Sequence, residues 1–504
     1  MTTLGLELCD VSLRAAKAAE GQPTEVLDTP NGIGALLDWP GFIAQDAREL
    51  AYGRTAEGVW HVHPRKVCHN FLDHLSREAS PLAQDGKFLS YSQLSYFFLG
   101  DFNRQVLVPA AADRVVLAVP GAYLKDAATE EEKVGLLLGM AREIKWPLAA
   151  VTDMACAALC DPRLTGLHAS WPVVVLDVHL HSTEITLFMP EGRLRRADFV
   201  QMPQLGLVQF FKQATTALGN RFLRHTAFDI LADGRLEQAF YRQVKEFILS
   251  RAPEFHFQIN TAKRAYEMNA TREQLRADAQ PAVTSLLGGI TALLGKHAID
   301  LHACTLALTA RAAAIPGLDT RLRQSGLNHI LRLPQDAAAY GAVHLGAALP
   351  VPADISDVPV ITAVELAQAN LKGGALWEAR LHRANVAGPR NVPTHVIIEG
   401  IGHPLFGNGK VSIGAPGRAG VDVTLPEPFK ASPDCVVQLV REGERLWFDE
   451  NQAGGGAPLA PAEVAVPAKV PVEAGDRMVV RLGEVGVELL FATCRPGIRP
   501  ERGY

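Results

Sequence analysis

Leu308-Thr309-Ala310-Arg311-Ala312-Ala313-Ala314-Ile315-Pro316-Gly317-Leu318 is the stretch that decides the fold, read together with Asp336-Ala337-Ala338-Ala339-Tyr340-Gly341. The first continues LHACTLALTA (301–310), a strand that runs into Ala-rich helical sequence. The second opens a small-residue helix, Asp336 to Ala348. A strand followed directly by helix, then by a second helix of small residues, is the rhythm of an α/β layer.

Working outward, the same rhythm recurs. Val173 to Leu176 is a continuous apolar strand, and Glu184 to Phe188 is its neighbour. Leu236, Phe240, Val244, Phe247 and Ile248 fall at helical spacing, as do Val283, Leu286, Leu287, Ile290, Leu293 and Leu294. In the first half, Leu4 to Lys17 reads as a strand and its hairpin partner, Arg114 to Pro120 as a buried strand, and Glu131 to Ile144 as a helix. Val151 to Cys160 reads as a small-residue helix. Strands and helices thus alternate twice over, which predicts an α/β body of two lobes with a cleft between them.

After Pro350 the texture changes. Scattered prolines and a short helical piece, Ala363 to Leu371, predict a linker. From Thr394 the runs THVIIEG, GKVSIG, VDVTLP, CVVQLV, RLWFDE, MVVRL and VELLFAT, punctuated by Gly, Pro and Asp, predict an all-β sandwich. Gly454 to Pro471 reads as a flexible loop within it. The expected organisation is lobe I over 1–170, lobe II over 171–350, a linker over 351–395, the sandwich over 396–495 and a tail over 496–504.

Composition narrows the function classes. With 48% hydrophobic and 20% charged residues, the chain of 504 can bury a large core. A net charge of −5 argues against nucleic acid as main partner, since phosphate neutralisation needs clustered Lys and Arg. The seven cysteines, at 9, 68, 156, 160, 304, 435 and 494, form no C-x-x-C pair, which fits packing in a reducing compartment. No signal peptide and no run of ~18 apolar residues is visible, so a cytoplasmic protein without a membrane span is expected.

Five segments resemble, in order, the actin, sugar-kinase and heat-shock chaperone ATPase superfamily, closest to its chaperone and pilus-assembly branches. Gly5-Leu6-Glu7-Leu8-Cys9-Asp10-Val11-Ser12 resembles the first phosphate hairpin, G-I-D-L-G-T-T. Asp177-Val178-His179-Leu180-His181-Ser182-Thr183-Glu184 resembles the second, D-x-G-G-G-T-x-D. The stretch 308–318 resembles the adenosine loop, L-T-G-G-x-S-R-I-P-G-L. The helices at 151–160 and 336–348 resemble the two connecting helices between lobes. Val119-Pro120-Gly121-Ala122-Tyr123 resembles the V-P-A-Y step, and Asn260-Thr261-Ala262-Lys263-Arg264 a nucleotide-facing helix. The resemblance implies a duplicated ribonuclease H-like fold. It implies an interlobe cleft in which Asp10, Ser12, Ser182, Lys263, Arg311 and Asp336 face a nucleotide, and Glu7, Asp177 and Glu184 keep the acids of the family's Mg·ATP chemistry.

The glycines that such chemistry needs are missing. A phosphate cradle requires close approach by backbone N–H groups, which glycine permits. Here Cys9 replaces the turn glycine of the first hairpin, and His179, Leu180 and His181 replace three in the second. Asp10 would set a negative charge against a triphosphate, a repulsion of order 4 kcal/mol at ~4 Å and an effective dielectric of ~20. Ala310 and Arg311 replace two glycines of the adenosine loop, and the guanidinium is expected in the adenine slot. Loss of ATP hydrolysis and of nucleotide binding is predicted, with ATP and Mg left as the alternative cofactor. His179 and His181 are expected to alternate on one strand face, packed or hydrogen-bonded, since no third metal ligand is visible. His61, His63, Cys68 and His69 are likewise read as packing at a lobe edge, and Cys156 and Cys160 as helix packing. No metal site is expected.

Residues 396–495 resemble a forkhead-associated (FHA) domain, through Val411-Ser412-Ile413-Gly414, Val421 to Pro426, Ser432 to Val437 and Gly475-Asp476. The phosphate-binding Arg is Ala415 and the S-x-x-H step has Cys435 for His, so the phosphopeptide contacts are lost. Three functional readings follow: a degenerate scaffold that binds other proteins or itself, an ATP-binding chaperone-like switch, and a filament or pilus/secretion platform component.

Overall fold

Thr2–Glu7 is a buried strand that pairs antiparallel with Arg14–Ala19, placing Glu7 opposite Arg14. Arg114–Val119 runs parallel beside Thr2–Glu7, and Leu148–Asp153 parallel beside that. The interiors of the parallel strands are apolar and buried, Val115–Val119 and Leu148–Val151, as expected of strands covered on both faces. The computed structural model describes residues 1–29, 36–46, 49–84, 86–164, 166–167, 171–191, 193–250, 252–327, 329–364, 377–382, 391–405, 409–414, 416, 421–426, 429, 436–442, 445–449, 469–482 and 485–493.

The full sheet runs Val360–Ile361, Leu148–Asp153, Arg114–Val119, Thr2–Glu7, Arg14–Ala19, Glu25–Val26. A second six-stranded sheet runs Ile330–Arg332, Thr305–Leu308, Val173–Val178, Ser182–Pro190, Leu194–Pro203, Ala363–Val364. In each, the first strand of a hairpin has its antiparallel partner on one side and parallel strands on the other. One plan is therefore used twice, and the protein is mixed α/β with several sheets.

Helices follow their caps. Asp126 accepts the Thr129 N–H to start Ala127–Ile144, and Thr271 with Gln274 forms a capping box ahead of Arg272–Lys296. Asp153 accepts the Ala155 N–H and starts Met154–Leu159. The strand thus continues through Asp153, where a helix from Val151 was expected; the β-branched pair Val151-Thr152 favours it. Ala337–Gly346 crosses this short helix at main-chain contact: a Cβ added at Gly341 would lie 1.9 Å from the Ala157 carbonyl oxygen. A Cβ on Gly5 would lie 2.1 Å from the Ala339 carbonyl oxygen.

Two compact units divide the chain: Met1–Leu164 with Ala169–Ala367, and Thr165–His168 with Gln368–Tyr504. The second holds two five-stranded sheets. One contains Trp377–His382, Arg477–Leu482, Val485–Ala492, His395–Ile398 and Ile401–Pro404; the other Val423–Thr424, Gly409–Gly414, Val436–Glu442, Arg445–Asp449 and Lys469–Val472. A single core takes Val396, Met478, Leu489 and Phe491 from the first sheet and Ile413, Val437, Leu439 and Phe448 from the second.

The expected linker over 351–395 is shared out by these strands. Val360–Ile361 and Ala363–Val364 close the edges of the two sheets of the first unit, and Trp377–His382 joins the second unit. Ala363–Val364 is strand rather than the start of a helix, because it completes a ladder with Leu194-Arg195; 365–371 lie outside the described residues. The expected loop to Pro471 ends earlier, since Lys469–Val472 is an edge strand, where a proline is tolerated. Ala415, Ser432 and Cys435 lie outside the described residues. Among the described residues, no helix is long and apolar enough to cross a membrane.

Candidate functional site

The two hairpins bring their turns together in the first unit. Leu8–Leu13 links the first pair of strands and His179–His181 the second. Asp10 ties them, its Oδ1 accepting the Leu180 N–H at 2.9 Å. The carbonyl oxygens of His179 and Leu180 accept the N–H groups of Leu207 and Val208 at the start of the Leu207–Thr226 helix, at 2.9 and 3.0 Å. That helix N-terminus, which would otherwise favour an anion, is occupied by the turn.

Arg311 forms the floor of the site. It stands near the start of Ala310–Ala313, a short helix capped by Thr309. Its Nη1 donates to Glu7 Oε1 at 2.6 Å. Its Nε and Nη2 donate to the two oxygens of Asp177 at 2.9 and 2.7 Å, while Thr309 Oγ1 donates to Asp177 Oδ1 at 2.8 Å. All three charged side chains are buried. Burial opposes ionisation of Asp177, but the guanidinium outweighs it and holds the carboxyl down to about 2. Arg311 itself is raised well above its ordinary value; burial opposes this, and Asp177 more than compensates. Arg311 thus bridges Glu7 and Asp177, because two buried carboxylates require a partner.

His179 forms a second node. Its Nδ1 lies 3.6 Å from Asp10 Oδ1 and 3.7 Å from Cys9 Sγ, and its Nε2 lies 3.3 Å from Glu184 Oε2 and 3.6 Å from Asp177 Oδ2. Burial works against the imidazolium, yet Glu184 and Asp177 raise His179 well above the ordinary histidine value. Burial pushes the Cys9 thiol up. Burial would also raise Asp10, but the hydrogen-bonded His179 brings it below its ordinary value. Glu184 accepts the Gly121 and Ala122 N–H groups at 2.8 and 3.0 Å, so the expected V-P-A-Y-like step is where this acid is anchored.

His179 and His181 do not share a strand face; both lie in the turn, and their side chains part. His181 stacks on His69, with ring centroids 4.9 Å apart. Burial and the neighbouring His181 hold His69 down to about 3. The other members of the 61–69 cluster go separate ways: His61 meets Glu237, and Cys68 donates to Asn70.

Glu7, Asp10, Asp177, Glu184 and Arg311 are therefore gathered in one buried cluster. Ser182 lines the same small pocket as Asp10, His179 and Glu184, and its Oγ accepts from Gln201. Three residues are not gathered there: Ser12 instead accepts the Trp39 N–H at 3.0 Å. Asp336 pairs with Arg163 at 3.0 Å, whose guanidinium lies 3.7 Å from the Tyr340 ring centroid. Lys263 stands exposed in the turn of the Glu254–Asn260/Ala265–Thr271 hairpin, not on a helix, because EFHFQIN alternates with period two.

No family model matches the chain, and no curated protein matches it. The site is thus read from its own geometry.

Three groups escaped the sequence reading. Cys9 was seen only as a lost glycine. Asp153 pairs with Arg196 at 3.1 Å, and its signal was an Asp immediately before a small-residue helix. Arg163 had no local signal. Chemically, the site is a buried charge network: Arg311 is shared by Glu7 and Asp177, and His179 lies among Asp10, Asp177 and Glu184, while Glu7 Oε2 and His179 Nε2 make no hydrogen bond among the described residues. A small pocket borders Glu7, Asp177 and Arg311.

Proposed function

We propose that the chain is a pseudo-ATPase of the actin and heat-shock chaperone type, a scaffold that works by binding proteins rather than by turning over nucleotide. In this reading the duplicated sheets are the two lobes, and the C-terminal unit is an FHA-like sandwich without its phosphate-binding arginine. The repeated strand plan supports the fold assignment. The observation that carries the functional reading is the buried Glu7–Arg311–Asp177 bridge. The carboxylates that would hold a metal beside phosphate are already held by a side chain of the chain itself.

The energetics favour this reading over an ATP switch. To admit Mg·ATP, the guanidinium must leave both carboxylates. Breaking a buried pair costs about 3–5 kcal/mol, which lowers affinity by roughly two to three and a half orders of magnitude. Magnesium also prefers oxygen ligands in an octahedron and retains its water, so it displaces a bidentate arginine poorly.

Calorimetry of the full chain with Mg·ATP tests the proposal. No binding heat is expected at millimolar nucleotide, and no phosphate release above buffer. Micromolar affinity for Mg·ATP would refute it.

A further inference from the structure

We propose that Cys9 Sγ, Asp10 Oδ1 and His179 Nδ1 form a zinc site that clips the two hairpin turns together. The three atoms make a nearly equilateral triangle, with edges of 3.6, 3.7 and 3.8 Å. Around tetrahedral zinc, with bonds of about 2.0–2.3 Å, the corresponding ligand separations are roughly 3.4–3.6 Å. A closing movement of a few tenths of an ångström would bring all three onto one ion. Among the described residues, this is the group whose ligand atoms all lie within 4.8 Å of one another.

The surroundings resemble an outer coordination shell. With Nδ1 on the metal, Nε2 of His179 faces the Glu184 carboxylate at 3.3 Å, and that buried nitrogen has no aligned hydrogen bond. A carboxylate behind a ligating imidazole fixes its tautomer and orientation. Asp10 is held by the Leu180 N–H, so two of the three ligands are preset by neighbours. A small pocket lined by Asp10, Tyr123, His179, Ser182 and Glu184 adjoins two of the three ligands.

The donor set selects the metal. A thiolate with imidazole and carboxylate suits zinc, whereas magnesium and calcium favour oxygen alone. The clip joins residues 170 apart in sequence, one from each duplicated hairpin.

The test uses the full reduced chain, freed of metal by chelation and titrated with Zn²⁺ or Co²⁺. One equivalent is expected to bind, and X-ray absorption of the wild-type zinc form should show one sulfur with nitrogen or oxygen neighbours. The cobalt form should show a thiolate charge-transfer band. Cys9→Ser should abolish the band and weaken binding at least 100-fold, with the fold checked by circular dichroism. Cys68→Ser should leave it unchanged, and Glu184→Gln should weaken binding about 10- to 100-fold while the band persists. Absence of a bound equivalent in the wild type, a shell without sulfur, or a band that survives Cys9→Ser overturns the site. The wild-type measurements decide the matter even where a variant fails to fold.

Discussion

Protonation divides the residues of this site by sign. Asp177 is held at about 2 against an ordinary 3.8, with burial opposed and outweighed by Arg311. A depressed carboxyl stabilises the folded state above its ordinary value and loses that contribution as pH falls toward 2. At about 1.4 kcal/mol per unit the loss is of order 2 kcal/mol. His69, held at about 3 against 6.5 by burial and His181, follows the same sign in a higher window. Its contribution is complete above pH 6.5 and lost on descent toward 3. His179 has the opposite sign: its contribution is complete below 6.5 and is lost as pH climbs from 6.5 through its raised value. Urea denaturation from pH 7 to 3 should therefore show falling stability across the His69 window. His69→Phe keeps a ring against His181 and should flatten that decline while sparing the steeper loss at the acid end. An unchanged profile in His69→Phe rules out this assignment. The sequence exposed Arg311 as a residue in a glycine's place but not its direction, because its partner Glu7 is 304 residues away. Local pattern carries no information on such a contact.

Elements were legible where they were long and periodic. The strand Arg114–Val119 and the helix ending at Ile144 were both read from spacing, though that helix begins at Ala127, ahead of the expected Glu131, behind the Asp126 cap. Ala363–Val364 did not reveal itself, since two residues have no period and their strand character comes from a preformed edge. The Glu254–Thr271 hairpin was hidden by a resemblance that its own alternation contradicted. Two runs of small residues were legible where Ala337–Gly346 meets Met154–Leu159, but their close contact was not, and it leads to a paired prediction. Gly341→Ala would put a methyl 1.9 Å from the Ala157 carbonyl oxygen, which is backbone and cannot rotate away. A loss of about 1–3 kcal/mol or more is expected. Gly139, in the Ala127–Ile144 helix, faces open space, so Gly139→Ala should instead gain up to ~1 kcal/mol from helix propensity. Chemical denaturation reads both; equal effects in the two variants would show that the close crossing does not constrain the helix.

At the scale of the molecule, the change of texture after Pro350 announced a second unit, but the boundary was invisible. The strands that decide it, Val360–Ile361 and Trp377–His382, take their places from partners far away in sequence. Each unit has its own core: Leu6, Phe71, Phe98 and Leu117 lie in one, and Val396, Phe448, Val480 and Phe491 in the other. Separate cores imply separate cooperative transitions. Arg311 belongs to the first unit and bridges only groups within it. Arg311→Met leaves Glu7 and Asp177 buried without their cation, which costs about 3–5 kcal/mol. Scanning calorimetry of the full chain should thus resolve two transitions, with Arg311→Met lowering one by several degrees and leaving the other in place. Adding Glu7→Gln and Asp177→Asn removes the uncompensated charge and should recover much of the shift, as expected when the penalty is electrostatic rather than lost packing. If the variant moved both transitions together, or neither, the bridge would not be a feature that stabilises the first unit by itself.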